Sequence, residues 1–241
     1  MVDVVTYPTL DSLVDATAER FTSLIASIHA DPAAGVGRDG AARVVVTGGT
    51  AGIALLRALR GRPIDWARVH VFFGDERNVP VHAADSNEGQ ARGALFDHVD
   101  IPPANLHGYG LTGAGIEDAV ERYRGVLDTW APDGFDLHLL GVGEEGHINS
   151  LFPHSAALAE RDRTVVAVTD SPKPPAERAT LTLPAVAGAQ RVWFLVSGEA
   201  KAEAAAQIAR GRDPEQWPAA GARGQAETVL FVTEDAAGIL D

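Results

Sequence analysis

The stretch GVGEEGHINSLFP (141–153) places one histidine among three glycines, directly after an apolar run. His147 titrates near neutral pH and can take a proton from water. Glu144 and Glu145 could orient or tune the imidazole, and Ser150 with nearby backbone N–H groups could hold a developing oxyanion. An isolated histidine more often caps a helix or satisfies a buried hydrogen bond. Its position after glycines at a strand end favours a chemical role.

A second candidate site lies where VVVTGGTAGIALL (44–56) passes from a β-branched run into a helical pattern. Gly48, Gly49 and Thr50 form this junction, where glycine lets the backbone approach an anion and the helix N-terminus offers free N–H groups. A tight turn with Thr50 as the helix N-cap is the alternative. The spacing matches neither a P-loop nor a dinucleotide fingerprint.

A third candidate site follows the run VHVFFGDERNVP (69–80), in which Asp75, Glu76 and Arg77 come directly after apolar residues. Asn87 lies ten residues beyond Arg77. Together these side chains could bind several hydroxyl groups and one anionic group. A solvated charged turn is the alternative for the charged residues taken alone.

Hydrophobic periodicity predicts the helices and strands that position these residues. It predicts helices over 10–29, 50–60, 114–130 and 199–211, and strands over 43–49, 68–76, 135–143, 164–169, 179–186, 191–198 and 227–234. The alternation predicts an α/β fold, with a mostly parallel sheet flanked by helices on both faces. In such sheets ligands bind at the carboxyl ends of the strands, where all three candidate sites lie.

Composition excludes several classes of protein. The chain has 241 residues, no cysteine and a net charge of −13, so disulfides, thiolate metal sites and a nucleic-acid-binding basic face are not expected. The N-terminus lacks a secretory pattern, and no apolar run is long enough for a membrane span. Three loops, 31–41, 170–177 and 211–226, are too short for domain linkers. We expect one cytoplasmic domain over 1–241, without nucleic-acid or membrane partners and with its oligomeric state open between monomer and small homo-oligomer.

The motifs together resemble the 6-phosphogluconolactonase family. They are GGT (48–50), FFGDER (72–77), DSN (85–87), GVGEEGHINSLFP (141–153), KPPAER (173–178) with TLTLP (180–184), and GEAK (198–201). The resemblance spans most of the chain in order. It implies the sugar-phosphate isomerase/deaminase-like fold, a modified Rossmann arrangement. It also implies hydrolysis of 6-phosphoglucono-δ-lactone in the oxidative pentose phosphate pathway, without a metal or organic cofactor.

Resemblance and residue chemistry together assign roles in this reaction. His147 would be the general base on a water, Glu145 would orient the imidazole, and Arg77 or backbone N–H groups would stabilise the oxyanion. The phosphate would sit against Gly48–Thr50. The remaining candidate substrate contacts are Lys173 and Arg178 for the phosphate, Asp75 and Asn87 for hydroxyls, and Lys201.

Two positions depart from the family pattern. Glu145 stands where the family typically has Asp, which places its carboxylate one methylene further out. His154 follows SLFP where the family often has Gly, which we expect to alter a loop only.

Three other functions fit parts of the pattern. An isomerase or amino-sugar deaminase on the same fold could use Asp75 as a base, but Arg77 and SLFP differ from the sequences typical of that group. A sugar-phosphate sensor would bind without catalysis, and no additional partner-binding segment is visible. A metal-dependent hydrolase would need ligand spacings such as HxH or HExxH, which the sequence lacks.

Overall fold

The computed structural model describes residues 1–240. It contains ten strands: β1 (Asp3–Tyr7), β2 (Ala42–Val46), β3 (Val69–Phe73), β4 (Asp75–Arg77), β5 (Leu106–His107), β6 (Phe135–Gly141), β7 (Val165–Val168), β8 (Arg178–Leu181), β9 (Ala189–Val196) and β10 (Glu227–Thr233). Seven of them form one parallel sheet in the order β1-β10-β9-β6-β2-β3-β5. The other three form a small antiparallel sheet in the order β4-β8-β7.

Seven α-helices accompany the strands: α1 (Leu10–Ala30), α2 (Gly49–Ala58), α3 (Asn87–Ala94), α4 (Ile116–Trp130), α5 (Ala156–Ala159), α6 (Leu183–Ala187) and α7 (Ala202–Arg210). α1 begins with a capping box, in which the Thr9 hydroxyl accepts from the Ser12 N–H at 3.2 Å and the Ser12 hydroxyl accepts from the Thr9 N–H at 3.1 Å. On α4, the buried residues recur at helical spacing and are Ile116, Ala119, Val120, Tyr123 and Leu127.

The central strands are buried without alternation, because both faces of the sheet are covered. All five residues of β2 are buried, as are the first six of β6. A strand with one solvated face would instead alternate buried and exposed positions. The structure therefore confirms the predicted α/β architecture.

The order of the strands creates a crevice between β2 and β6. After β2 the chain moves outward to β3 and β5, and it then returns to place β6 on the other side of β2. Connections diverge at such a switch point, which is where open α/β sheets bind ligands. At this end of the sheet, the N–H of Gly141, the last residue of β6, donates to Oγ1 of Thr47, which follows β2, at 3.0 Å.

The small antiparallel sheet was not predicted, and two predicted strands have different bounds in the structure. The predicted strand 68–76 breaks at Gly74, after which β4 joins the second sheet. The predicted strand 179–186 ends at Leu181, since Thr182 caps α6 and Pro184 lies in its first turn. β1, β5 and α3 were also missed, because each is short or lacks a strong periodic pattern.

Glu76 anchors the start of α3 to the small sheet. Its side chain is buried, and its carboxylate accepts hydrogen bonds from the N–H groups of Arg77, Asn87 and Glu88, each at 2.8 Å, and from Oγ of Ser86 at 2.9 Å. Burial raises the pKa of Glu76, and these hydrogen bonds oppose that shift. The buried carboxylate thus fixes the relative positions of the GDER and DSN segments.

Two further features concern the described residues as a whole. None of the helices within 1–240 is both long enough and apolar enough to cross a membrane. The same residues contain no cluster of three or more His, Cys, Asp or Glu side chains that could hold a metal ion.

Candidate active site

A cleft of about 290 Å³ opens at the carboxyl ends of β2 and β6. It is lined by Thr47, Gly48, Gly49, Thr50, Ala51, Gly52, Asp75, Arg77, Asn87, Gly141, Val142, Gly143, Glu144, His147, Asn149, Lys173, Arg178, Leu195 and Lys201. Of the candidate residues named from the sequence, Glu76, Glu145 and Ser150 are outside this lining, and Glu145 contacts two of its members. Segments far apart in the sequence therefore meet in one cavity.

His147 is held by the turn that follows β6. The N–H of Gly146 donates to the carbonyl of Gly143 at 2.9 Å, and the N–H of Gly143 donates to the carbonyl of His147 at 3.0 Å. The ring stacks on Phe152 with centroids 4.5 Å apart, and 19% of the side chain remains exposed. The imidazole is thus enclosed on one side but accessible from the cleft.

Glu145 lies between His147 and Lys173. Its Oε1 is 3.2 Å from Nδ1 of His147, and Nζ of Lys173 is 2.8 Å from Oε1 and 3.1 Å from Oε2. The approach of Oε1 to Nδ1 falls outside hydrogen-bond geometry, so this nitrogen has no hydrogen-bond partner among the described residues.

Burial and charge act in opposite directions on this pair. Burial lowers the pKa of His147, Glu145 raises it, and Lys173 lowers it further, with a net decrease. Burial would raise the pKa of Glu145, but the hydrogen bond from Lys173 and the charge of His147 outweigh burial and lower it. At neutral pH the arrangement therefore favours a neutral imidazole beside an ionised carboxylate.

The Gly48–Thr50 turn presents an uncapped helix N-terminus to the cleft. Gly48 is the N-cap of α2 and offers no side-chain hydrogen bond, so the alternative of Thr50 as the cap is wrong. Gly49 has a φ of 75°, in the left-handed region that glycine permits. A Cβ on Gly48 would lie 2.8 Å from Oδ1 of Asn87, so this close approach also depends on glycine. The first N–H groups of α2 remain available to an anion.

The carboxylate of Asp75 accepts hydrogen bonds from Asn87 and Ser150, and the second of these bonds excludes the oxyanion role suggested for Ser150. Its Oδ1 accepts from Nδ2 of Asn87 at 2.9 Å, and its Oδ2 accepts from Oγ of Ser150 at 2.6 Å. Ser150 is fully buried, and its N–H donates to Oγ1 of Thr180 at 3.1 Å. Since both donors of Ser150 are used, it cannot stabilise an oxyanion as the sequence suggested.

Arg77 reaches the cleft from β4. Its Nη1 donates to the carbonyl of Asp85 at 2.6 Å and to Oδ1 of Asn87 at 3.0 Å. Within residues 1–240, the guanidinium makes no hydrogen bond or ion pair with Glu76 or Glu145. Among the described residues, its Nε and Nη2 make no hydrogen bond, so they are free to face a ligand.

Arg178 fixes the loop that carries Lys173. Its Nη2 donates to the carbonyls of Lys173 and Pro174 at 3.0 and 3.1 Å, and its Nε donates to that of Pro175 at 3.1 Å. Its Nη1 lies 3.9 Å from Oδ2 of Asp75. Nε and Nη2 of Arg178 therefore hold the backbone of residues 173–175, and Nη1 is directed toward Asp75 in the cleft.

Lys173 and Lys201 are the two lysines among the 20 basic residues of the chain, and both line the cleft. Burial lowers the pKa of Lys201, and Glu144 opposes this shift. Arg77 and Arg178 bring the lining cations to four, against the carboxylates of Asp75 and Glu144. The cleft thus supplies the local positive charge that an anionic ligand needs in a chain of net charge −13.

Sequence reasoning did not single out Asn149. It lines the cleft with a φ of 49°, a conformation that Asn tolerates. A Cβ on Gly74 would lie 2.2 Å from Oδ1 of Asn149 and 3.3 Å from Nε2 of His138. His138 is fully buried, and burial lowers its pKa to about 3, so it stays neutral behind Asn149. In the sequence, the signal available for this site was Gly74 of the FFGDER motif, since a side chain there would collide with Asn149.

Comparison with known proteins places the chain in a family. A model of the family described as glucosamine-6-phosphate isomerases/6-phosphogluconolactonase matches residues 8–231. The chain belongs to this family.

Similar curated members of the family cover most of the chain. A 6-phosphogluconolactonase of Mycobacterium tuberculosis is 46% identical over 97% of this chain and 96% of its own length. A 6-phosphogluconolactonase of Streptomyces coelicolor is 43% identical over 83% of each chain. The recognition made from the motifs is therefore confirmed.

Solved structures agree on the fold. The crystal structure of 6-phosphogluconolactonase from Thermotoga maritima has a TM-score of 0.85 and 28% identity, covering 97% of this chain and all of that one. A monomeric glucosamine-6-phosphate deaminase has a TM-score of 0.80 and 19% identity, covering all of both chains, which shows a shared fold alone. The predicted isomerase/deaminase-like fold is therefore confirmed.

The packing of Gly143 predicts that Gly143→Ala will displace the imidazole. The added Cβ would lie 2.0 Å from Nδ1 of His147 and 2.6 Å from Oε2 of Glu145, although the φ of Gly143 is not in the left-handed region. We expect His147 to move into solvent, its pKa to rise toward the ordinary value, and the unfolding free energy to fall by about 1–3 kcal/mol. NMR titration and urea unfolding measure these changes.

Gly125→Ala is the matched control, because an added Cβ there meets nothing within 4 Å on α4. It should leave the His147 titration unchanged. An unaltered His147 titration in Gly143→Ala as well would contradict the packing described for this turn.

Proposed function

We propose that this protein hydrolyses 6-phosphoglucono-δ-lactone to 6-phosphogluconate. The observation that carries the proposal is a neutral imidazole and an uncapped, cation-flanked helix N-terminus lining one cleft. The first can activate water, and the second can bind a phosphate. The names of relatives at 43–46% identity, all 6-phosphogluconolactonases, support the same substrate.

His147 acts as the general base in this proposal. Its Nδ1 is turned toward Glu145, which leaves Nε2 as the nitrogen that faces an attacking water. With the Nδ1 proton held beside the carboxylate, Nε2 takes a proton from the water as its oxygen bonds to the lactone carbonyl carbon. The pull of Glu145 on the imidazolium stabilises the charged form that results.

The tetrahedral intermediate then collapses with proton return. The free Nε and Nη2 of Arg77 stabilise the negative charge on the former carbonyl oxygen. The bond between the carbonyl carbon and the ring oxygen breaks, and Nε2 of His147 returns its proton to that oxygen, which becomes the C5 hydroxyl. The new carboxylic acid ionises in water, so the step needs no cofactor.

The phosphate binds at the α2 N-terminus in this proposal. Backbone N–H groups of Gly49 and Thr50 donate to the phosphate oxygens, and Lys201 with Nη1 of Arg178 supplies positive charge. Asp75 and Asn87, which lie beside this turn, contact sugar hydroxyls. The cleft volume of about 290 Å³ suits one hexose-sized ligand.

The carbon-acid chemistry of an isomerase or deaminase receives less support. Such a reaction would need Asp75 as a mobile base, yet Asn87 and Ser150 hold both of its oxygens. A pure sensor would not need the exposed face of a neutral imidazole in the ligand cleft. We further propose that the enzyme acts in the cytoplasm, in the oxidative pentose phosphate pathway.

Removing the base should abolish most of the catalysis. We expect His147→Ala to lower kcat for 6-phosphoglucono-δ-lactone by roughly 10²–10⁴-fold, while the binding of 6-phosphogluconate changes little. The assay follows fresh lactone by NMR against its spontaneous hydrolysis. His98→Ala removes an exposed histidine on the surface and should keep the wild-type rate. A wild-type rate in His147→Ala would exclude His147 as the base.

Lys201 should contribute through the phosphate of the substrate. We expect Lys201→Met to raise KM for the phosphorylated lactone by roughly 10–100-fold, because a charge-assisted hydrogen bond is lost. Hydrolysis of unphosphorylated glucono-δ-lactone should be nearly unchanged. Steady-state kinetics on both lactones measure the contrast, with Arg122→Met, an exposed site on α4, as the charge-matched control. Equal losses on both lactones would refute this role.

A further inference from the structure

The carboxylate of Glu145 lies between two basic side chains, His147 and Lys173, and Lys173 is outside the expected catalytic set. Nζ of Lys173 contacts both oxygens, at 2.8 and 3.1 Å, and Oε1 also lies 3.2 Å from Nδ1 of His147. The carboxylate of Glu145 therefore separates the ammonium group of Lys173 from the imidazole of His147. A residue at that position can affect the imidazole without touching it.

The backbone of Lys173 is held in place independently of any ligand. Its carbonyl accepts from Nη2 of Arg178 and from Oγ of Ser171, both at 3.0 Å. Its N–H donates to the same Ser171 hydroxyl at 3.3 Å. Since Arg178 and Ser171 are both buried, the base of the lysine side chain has a fixed origin. The loop before β8 thus holds Lys173 where its side chain contacts Glu145.

The geometry also explains why Glu145 does not form a direct hydrogen bond with the imidazole. Both carboxylate oxygens are engaged by Lys173, and the approach of Oε1 to Nδ1 is outside hydrogen-bond geometry. A carboxylate released from the lysine could turn toward Nδ1 and bind the protonated ring strongly. Lys173 therefore opposes that rearrangement.

We propose that Lys173 is a positioning residue that holds the Glu145 carboxylate in this intermediate place and so limits how strongly it favours the protonated imidazole of His147. The consequence is a base that is free to accept a proton at neutral pH, yet still has a carboxylate nearby when it becomes charged. This inference rests on the proposed function, because it assigns a purpose to the neutral state of that base.

Other charged groups around the ring do not supply the same effect. Asp75 faces it from β4 and favours the protonated form, as Glu145 does. Arg77, Arg178, Lys201 and Glu144 line the same cleft. Of the two lysines, Lys173 alone is in contact with Glu145 among the described residues. Lys201 is therefore a charge-matched control within the same cavity.

The decisive experiment is an NMR titration of His147 in the free protein, which requires no substrate. We expect Lys173→Met to raise the pKa of His147 by roughly half a unit or more, because a repelling charge is lost and Glu145 is released. Lys173→Arg should keep the pKa near the wild-type value, and Lys201→Met should move it much less. Glu145→Gln should move it in the opposite direction, downward.

Two further measurements separate positioning from other roles of Lys173. If the lysine acts through Glu145, Lys173→Met should shift the pKa of His147 less in the Glu145→Gln background than in the wild type. In kinetics, the acid limb of kcat/KM should move to higher pH, so the loss is larger at pH 6 than at pH 8. A lysine that only bound phosphate would raise KM equally at both pH values.

The outcomes are distinguishable from failure of the proposed function. If wild-type protein does not hydrolyse the lactone, the proposed function fails, while the titration still tests the contact between Lys173, Glu145 and His147. An unmoved pKa of His147 in a folded Lys173→Met variant, verified by circular dichroism, would overturn the inference. So would an equal shift in Lys201→Met.

Discussion

In the proposed mechanism, the imidazole of His147 must remain neutral although it lies beside the carboxylate of Glu145. Proximity to Glu145 alone would favour the charged ring, and a charged ring cannot accept a proton from water. Burial against Phe152 and the ammonium group of Lys173 act in the other direction. The proposed reaction depends on this balance, because in it the same carboxylate later stabilises the imidazolium of His147.

The fold brings together the residues of this cleft from segments that are far apart in the sequence. The parallel sheet brings the ends of β2 and β6 together at its switch point, which places the helix N-terminus near the turn that carries His147. The small antiparallel sheet pairs Arg77 on β4 with Arg178 on β8. The same sheet therefore positions both Arg77 and the loop that carries Lys173, which precedes β8. Buried Glu76 then ties this support to α3.

The sequence predicted the architecture and the cleft well, since strong periodicity and strand-end glycines are local signals. It did not predict the second sheet, although β7 and β8 overlap predicted strands, because their antiparallel pairing with β4 depends on contacts between distant segments. It assigned an oxyanion role to Ser150, whose donors are used by Asp75 and Thr180 through contacts that spacing cannot reveal. The contact between Lys173 and Glu145 is equally non-local, as 28 residues separate the two positions.

The most direct test of the central claim compares two pH titrations of the wild-type protein. One follows the ring of His147 by NMR, and the other follows kcat/KM for 6-phosphoglucono-δ-lactone corrected for spontaneous hydrolysis. A neutral base predicts activity that is lost as pH falls through the pKa of His147, with both midpoints coinciding below the ordinary histidine value of about 6.5. Activity that persists when His147 is fully protonated would contradict the account.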